Sequence, residues 1–218
     1  LASPSTEKII SEFIVAYPNV KHVVYDAISE SGTADAFEAM FGQRALPNYH
    51  FEKAQTIVSF GADFIGDWQG GFEKGYAASR NPDSGHMSYL VQFEANMSLT
   101  GANADKRVVT KPSDQVFALI NLYNTITGSS LPSKATPVDA YIKDVASALK
   151  KSGSHGVVVS GSSDKNAQLI AFAINDVLQS IVFDAANPLH IRKGNDTDLA
   201  QVVADMKAGK VKGLLTYN

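Results

Sequence analysis

The residues able to do chemistry gather where β-rich runs stop. "TIVSFGAD" (56–63) ends on Gly61 and Asp63, "VVVSGSSD" (157–164) carries Ser160, Gly161, Ser162 and Ser163, and "KPSDQ" (111–115) sets Lys111 and Pro112 ahead of an apolar-periodic stretch. Asp63 and Asp67, with Glu73, could form a carboxylate site, but an Asp directly after a strand is ordinarily a turn or cap residue that bonds nearby backbone. Ser160, Ser162 and Ser163 stand where a nucleophile would be exposed; GxSxG is missing and no His or Asp partner can be named, so capping is the stronger reading. Gly156 and Gly161 have the GxxxxG spacing of half a P-loop, yet Ser162-Ser163 stands where Lys-Ser/Thr is needed and the glycines bracket a strand. That excludes a P-loop, and GxGxxG is absent as well. Trp68, with Phe64, Phe72 and Tyr76, could stack on a heterocycle; packing under a long loop is the commoner fate of such a cluster. The five histidines, His22, His50, His86, His155 and His190, are dispersed, with no i, i+4 pair and no HExxH to start a helical metal site. "NDTD" (195–198) reads as a helix cap before "LAQVVADMKAG", since no fixed Gly or terminal Glu follows as a calcium loop requires.

Chemistry at strand ends requires strands. Six short runs qualify: "HVVYD" (22–26), "TIVSF" (56–60), "YLVQFEA" (89–95), "GVVVSG" (156–161), "SIVFD" (180–184) and "GLLTY" (213–217). Their near-continuous Val, Ile and Leu content suits strands covered on both faces, and helical stretches alternate with them, so the expected fold is α/β with mostly parallel sheets flanked by helices. "STEKIISEFIVAY" puts Ile9, Ile10, Phe13 and Ile14 on one helical face behind Ser5 or Thr6 as N-cap. "KPSDQVFALINLYNTI" sets Pro112 and Ser113 ahead of Val116, Leu119, Ile120 and Tyr123. "SSDKNAQLIAFAINDVL" sets Ser163 or Asp164 ahead of Leu169, Ile170, Phe172, Ala173 and Val177. The Gly/Ser/Pro-rich "TGSSLPSKATP" (127–137) marks a boundary between two α/β lobes, 1–130 and 131–218. The first turns after "TIVSFGAD", "VVVSGSSD" and the terminal "GLLTYN", which ends on Asn218, could each offer unpaired N–H groups to an anion, a property generic to such folds.

Composition narrows the classes further. With 218 residues, 44% apolar content, a formal net charge of -3 and no basic run longer than Lys150-Lys151, the chain has an ordinary globular composition without the electrostatic footprint of a nucleic-acid or membrane-surface binder. It has no cysteine, which removes disulfides, thiolate metal sites, iron–sulfur ligation and a thiol nucleophile together. No apolar run approaches the roughly 20 residues of a membrane span. "LASPSTEKII" has neither a basic n-region nor an initiator Met, and "KVKGLLTYN" stops on a strand-like run with no helix after it, so the expectation is an internal fragment of a longer protein.

Several stretches together resemble the molybdopterin oxidoreductase superfamily: "FGADFIGDW", "EANMSLTGANADKRVVTKPSDQVFAL", "VVVSGSSDKNAQLIAFAINDVL" and the terminal "GLLTYN". More narrowly, they are similar to the molybdopterin-enzyme-like region of the iron–sulfur subunits of bacterial alternative complex III. The likeness extends through "LASPSTEKIISEFIVAYPN" and "FGQRALPNYHFEKAQTIVSFGADF". It implies lobes like the central domains of formate dehydrogenase and DMSO reductase-type enzymes. Catalytic members grip a pterin dinucleotide with a Gly-x-Asn-Pro loop, matched here by Gly61, Asp63 and Phe64, so that Asn and Pro are lost. They use an Arg-Pro-Gly-Thr-Asp stretch beside the nucleotide, matched by Lys111, Pro112, Ser113, Asp114 and Gln115. By family match the cofactor positions are Gly61, Asp63, Lys111, Pro112, Ser160, Gly161 and Asn218. They are read as vestigial, because Ser113 replaces a Gly and Asp63, Asp67 and Asp114 would set negative charge beside a pyrophosphate. The implied role is a cofactor-free, inactive structural module of a membrane-bound quinol-oxidising electron-transfer complex, within a parent chain that is an oxidoreductase subunit. Other subunits and a neighbouring iron–sulfur region would be its partners, its clusters would lie elsewhere in the parent chain, and it would sit on the periplasmic side of the bacterial inner membrane. Nucleic acid is not an expected partner. The alternatives are a cofactor-binding domain of an active enzyme, holding molybdopterin guanine dinucleotide, and a generic small-anion-binding α/β module.

Overall fold

The computed structural model describes residues 3–68, 70–85 and 87–217. Two compact units emerge, Leu1–Ser31 with His190–Asn218, and Gly32–Leu189. The "TGSSLPSKATP" interval runs inside the second of these, between two of its helices.

In the larger unit, β2 (Thr56–Phe60), β3 (Tyr89–Glu94), β4 (Lys106–Val109) and β5 (Gly156–Ser160) form one four-stranded sheet in the order β4-β3-β2-β5, and every pairing in it is parallel. The fold is therefore α/β with a parallel sheet flanked by helices. β2 and β5 are buried at every position, as expected of strands covered on both faces. On one face Val58, Phe60, Val91, Phe93 and Val158 pack against α5 (Pro112–Thr127), α6 (Asp139–Ser152) and α7 (Lys165–Val177) through Leu119, Leu122, Ile142, Val145, Leu149 and Ile174. On the other, Ile57, Leu90, Val157 and Val159 meet Phe51, Phe64, Phe72 and Tyr76, the last two from α3 (Phe72–Ser79). From β2 the chain steps outward to β3 and, through the short α4 (Leu99–Ala102), to β4. It then returns through α5 and α6 to the opposite side of β2. The order of progress along the sheet thus reverses between β2 and β5, the kind of switch point beyond whose strand carboxyl ends open α/β sheets receive ligands. A separate antiparallel pair joins β1 (Leu46–Tyr49) to β6 (Phe183–Leu189), and α2 (Ser31–Phe41) sends Phe37 into a cluster with Phe172 and Phe183.

Several expectations need correcting. The run 180–184 enters a strand only at Phe183, and that strand pairs antiparallel. Residues 22–26 and 213–217 hold no regular structure. Strand propensity is satisfied only by a neighbouring strand, and neither run has one among the described residues. β1 and β4 lay outside the expected set. The first helix, α1 (Pro4–Ala16), is capped by Ser3, whose hydroxyl accepts the Thr6 N–H at 3.3 Å, instead of by Ser5 or Thr6; Pro4 then occupies the first helical position, where its missing N–H costs nothing. Its Ile9, Ile10, Phe13 and Ile14 face is not buried, and Ile9 is 66% exposed.

The smaller unit has polar ties in place of a core. Lys193 bonds Glu7 at 2.6 Å, Lys21 bonds Asp198 at 3.2 Å, and the Ser29 hydroxyl donates to Asp196 at 2.7 Å. Asn195 caps α8 (Asp196–Lys207), as "NDTD" foretold, accepting the Thr197 and Asp198 N–H groups. No residue of α1 or α8 is buried.

A neutral crevice at the switch point

The candidate site is built from two strand ends in register, Phe60 opposite Ser160. Immediately beyond them the chain turns at Gly61, with φ of 70°, and at Gly161. These two loops are in contact: a Cβ on Gly161 would stand 2.3 Å from the Gly61 carbonyl oxygen, and one on Gly61 would stand 2.6 Å from Gln115 Oε1. Glycine at both positions is what lets the loops and the start of α5 converge.

The loop from β5 into α7 is held by its own hydroxyls. Ser160 Oγ accepts the Ser162 N–H at 3.2 Å, Ser162 Oγ accepts the Asp164 N–H at 3.1 Å, and Asp164 caps α7 by accepting the Ala167 N–H at 2.9 Å. Gln168 Nε2 reaches back to the Ser160 and Ser162 carbonyls at 2.9 and 2.6 Å. Ser160 and Ser162 are turn-formers, and His155, the nearest histidine in sequence, sits at the other end of β5 with Nδ1 donating to the Lys53 carbonyl. No nucleophile–base pair forms here.

Between these loops and the first turns of α5 and α7 lies a crevice of about 280 Å³. Phe60, Val116, Leu119 and Ala167 supply apolar wall, while Pro112, Gln115, Gly161 and Ser160, Ser162 and Ser163 supply the rim. None of these side chains is ionisable. Of the family-matched positions, Pro112, Ser160 and Gly161 line the crevice, Gly61 abuts its rim through Gln115, and Lys111 is the N-cap of α5 with no side-chain cap bond. Asn218 lies outside the described residues, as does His86.

The acids expected to crowd this place are engaged elsewhere. Asp63 turns to α4, accepting the Thr100 N–H at 2.8 Å, the Thr100 hydroxyl at 2.7 Å and the Gly66 N–H at 3.3 Å. Partial burial works to raise its pKa, but the hydrogen bonds from Thr100, Gly66 and Leu99 outweigh it and hold the carboxyl below the ordinary range. Asp114 pairs with Lys134 at 3.4 Å, and Asp67 and Glu73 are exposed. Phe64 is fully buried and stacks on Phe51 at 4.4 Å, and Trp68 meets Phe72 edge-on at 5.8 Å, so the aromatic cluster is core.

A second polar group, which sequence reasoning missed, lies across the sheet. Glu94 is buried and accepts from Arg107 Nε at 2.5 Å, the Ser98 hydroxyl at 2.6 Å and Gln92 Nε2 at 3.2 Å. Burial tends to raise its pKa, and these bonds together hold it low. A fully compensated carboxylate of this kind fixes the β3–α4 loop and is not poised to take a proton. The partners lie 2, 4 and 13 residues from Glu94, and only the first two are local enough to be read from spacing. Among the described residues no group of three His, Cys, Asp or Glu is placed to hold a metal ion, and no helix is long and apolar enough to cross a membrane.

No protein-family model matches the chain, and no curated protein matches it.

Proposed function

We propose that this chain is a cofactor-free, molybdopterin-oxidoreductase-like module with a structural role in a membrane-bound quinol-oxidising electron-transfer complex, where it braces a neighbouring iron–sulfur region and other subunits on the periplasmic side. The family in this reading rests on the resemblance of the quoted stretches. The observation that carries the cofactor-free part is the crevice between β2 and β5: it has the position of a ligand site and the lining of none that binds a dinucleotide. A pyrophosphate needs compensating cations or a cradle of free N–H groups when it leaves water. Here no cation is among the described lining side chains, Asp164 already takes the Ala167 N–H in the first turn of α7, and the Gly61 and Gly161 loops are in close contact at the rim.

A structural role needs contact surface as well. The smaller unit exposes Ile9, Val15, Tyr25, Ile28, Leu214 and Leu215, large apolar side chains available for a partner to cover.

Titration calorimetry with molybdopterin guanine dinucleotide and with GDP tests the proposal. The expected result is no saturable heat. Saturation at micromolar concentration would support the alternative, a cofactor-binding domain of an active oxidoreductase.

A further inference from the structure

The geometry points to the same crevice as a binding site for a small uncharged ring with a lactam edge, of the pyrimidine-nucleoside class. This inference rests on the reading that the crevice rejects a pyrophosphate, and it names what its walls accept instead.

Two polar side chains on the rim have no hydrogen bond among the described residues, the Gln115 amide and the Ser163 hydroxyl, while the Ser160 and Ser162 hydroxyls each accept an N–H of their own loop. A primary amide presents one N–H and one C=O side by side. A lactam presents the complementary pair, N–H beside C=O, so the two can exchange two hydrogen bonds in one plane, with Ser163 free to donate or accept a third. Half-buried Val116, beside Gln115 on α5, supplies apolar surface for one face of a flat ring, with Phe60 and Leu119 packed behind it. Absence of charge in the lining sets the sign of selectivity: a charged ligand would lose hydration with nothing to replace it, whereas a neutral one would not. The volume of about 280 Å³ holds one ring with a sugar-sized substituent and is small for a dinucleotide. Position agrees, because ligands in open α/β sheets enter at the switch point beyond the strand carboxyl ends.

The test uses the full chain with uridine and UDP as probes, followed by NMR shifts of side-chain amides and by calorimetry. Uridine at up to about 5 mM is expected to saturate and to move the Gln115 side-chain amide signals, and UDP to bind at least about ten-fold more weakly. Gln115→Met keeps the bulk and the helix while removing the amide, and is expected to weaken uridine about ten-fold with the melting temperature unchanged. No uridine saturation, shifts that map away from the crevice, or full affinity in Gln115→Met overturns the inference. If neither probe binds, this inference alone fails and the cofactor-free reading stands. UDP binding as tightly as uridine, with shifts at the crevice, overturns both.

Discussion

Asp63 and Asp184 are carboxylates whose work is visible only with their partners in place. Asp63 accepts three hydrogen bonds that tie the β2 loop to Thr100 and Gly66. Removing the carboxylate in Asp63→Ala leaves those donors partly buried and unpaired, and should lower stability by about 2 kcal/mol in urea melts at neutral pH. Since the folded pKa lies below the ordinary carboxylate value of 3.8, this contribution is fully present above that value and is lost as pH falls through the folded one. The gap between wild type and variant should therefore close in strong acid; an equal gap at pH 3 and pH 7 would mean that packing, not charge, holds the loop. Asp184 is the sharper case. Partial burial tends to raise it, but bonds from Asn187, His50 and Ala186 bring it down to about 2 from 3.8. Asp184→Asn should flatten the stability loss between those two pH values, and an unchanged acid limb would refute the assignment. The sequence was informative about Asp63 as a turn residue, because its Gly66 bond is local. Thr100 lies 37 positions on and Asp184 is 134 positions from His50, so no spacing rule reaches either.

Elements were legible in proportion to how completely they are buried. β2, β3 and β5 read as strands because sheet burial on both faces forces unbroken apolar runs. β1, "LPNY", contains Pro and Asn, and β4, "KRVV", starts with two cations, since both lie at margins where one side is open. The runs 22–26 and 213–217 show the converse, apolar enough for a strand and without one to pair with. The outer edge of β5 has a closure that no pattern announces. The Asn175 amide donates to the Val158 carbonyl and accepts its N–H, both at 2.8 Å, and the Ser180 hydroxyl donates to the Gly156 carbonyl at 2.7 Å. Side chains thus stand in for the missing neighbour strand, a device that blunts edge-to-edge pairing. Asn175→Ala should cost about 2–3 kcal/mol by leaving two buried backbone groups unpaired, and should raise aggregation on mild heating. A variant as stable and as monomeric as wild type in light scattering would show that water satisfies that edge. Gly161→Ala probes the crevice rim: its Cβ would meet the Gly61 carbonyl oxygen at 2.3 Å, so the loops must part, and a loss of about 2 kcal/mol in the melt is expected.

At the scale of the molecule the two units differ in kind, and this difference bears most directly on a structural role. Gly32–Leu189 has a continuous core on both faces of its sheet, whereas the other unit has helices with no buried residue, and Ile28 and Leu215 in it are 84% and 86% exposed. α1 spans 13 residues, a length at which an isolated helix is marginal in water, so its order depends on its cap, its polar ties and the partial cover of Ile10 and Ile14. Hydrogen exchange on the full chain should therefore separate them: amides of α1 and α8 opening at about 1–2 kcal/mol, those of β2, β3 and β5 approaching the global unfolding free energy. If the exposed apolar residues are a contact surface, addition of a genuine partner should slow exchange in residues 4–31 and 190–217 and leave β2, β3 and β5 unaltered, because a ligand raises the protection only of what it holds closed. Exchange in α1 and α8 that tracks β2 in the free protein would show that their apolar side chains are already covered in solution. The surface would then be unavailable to a partner, and the structural reading would lose its second support while the crevice kept its first.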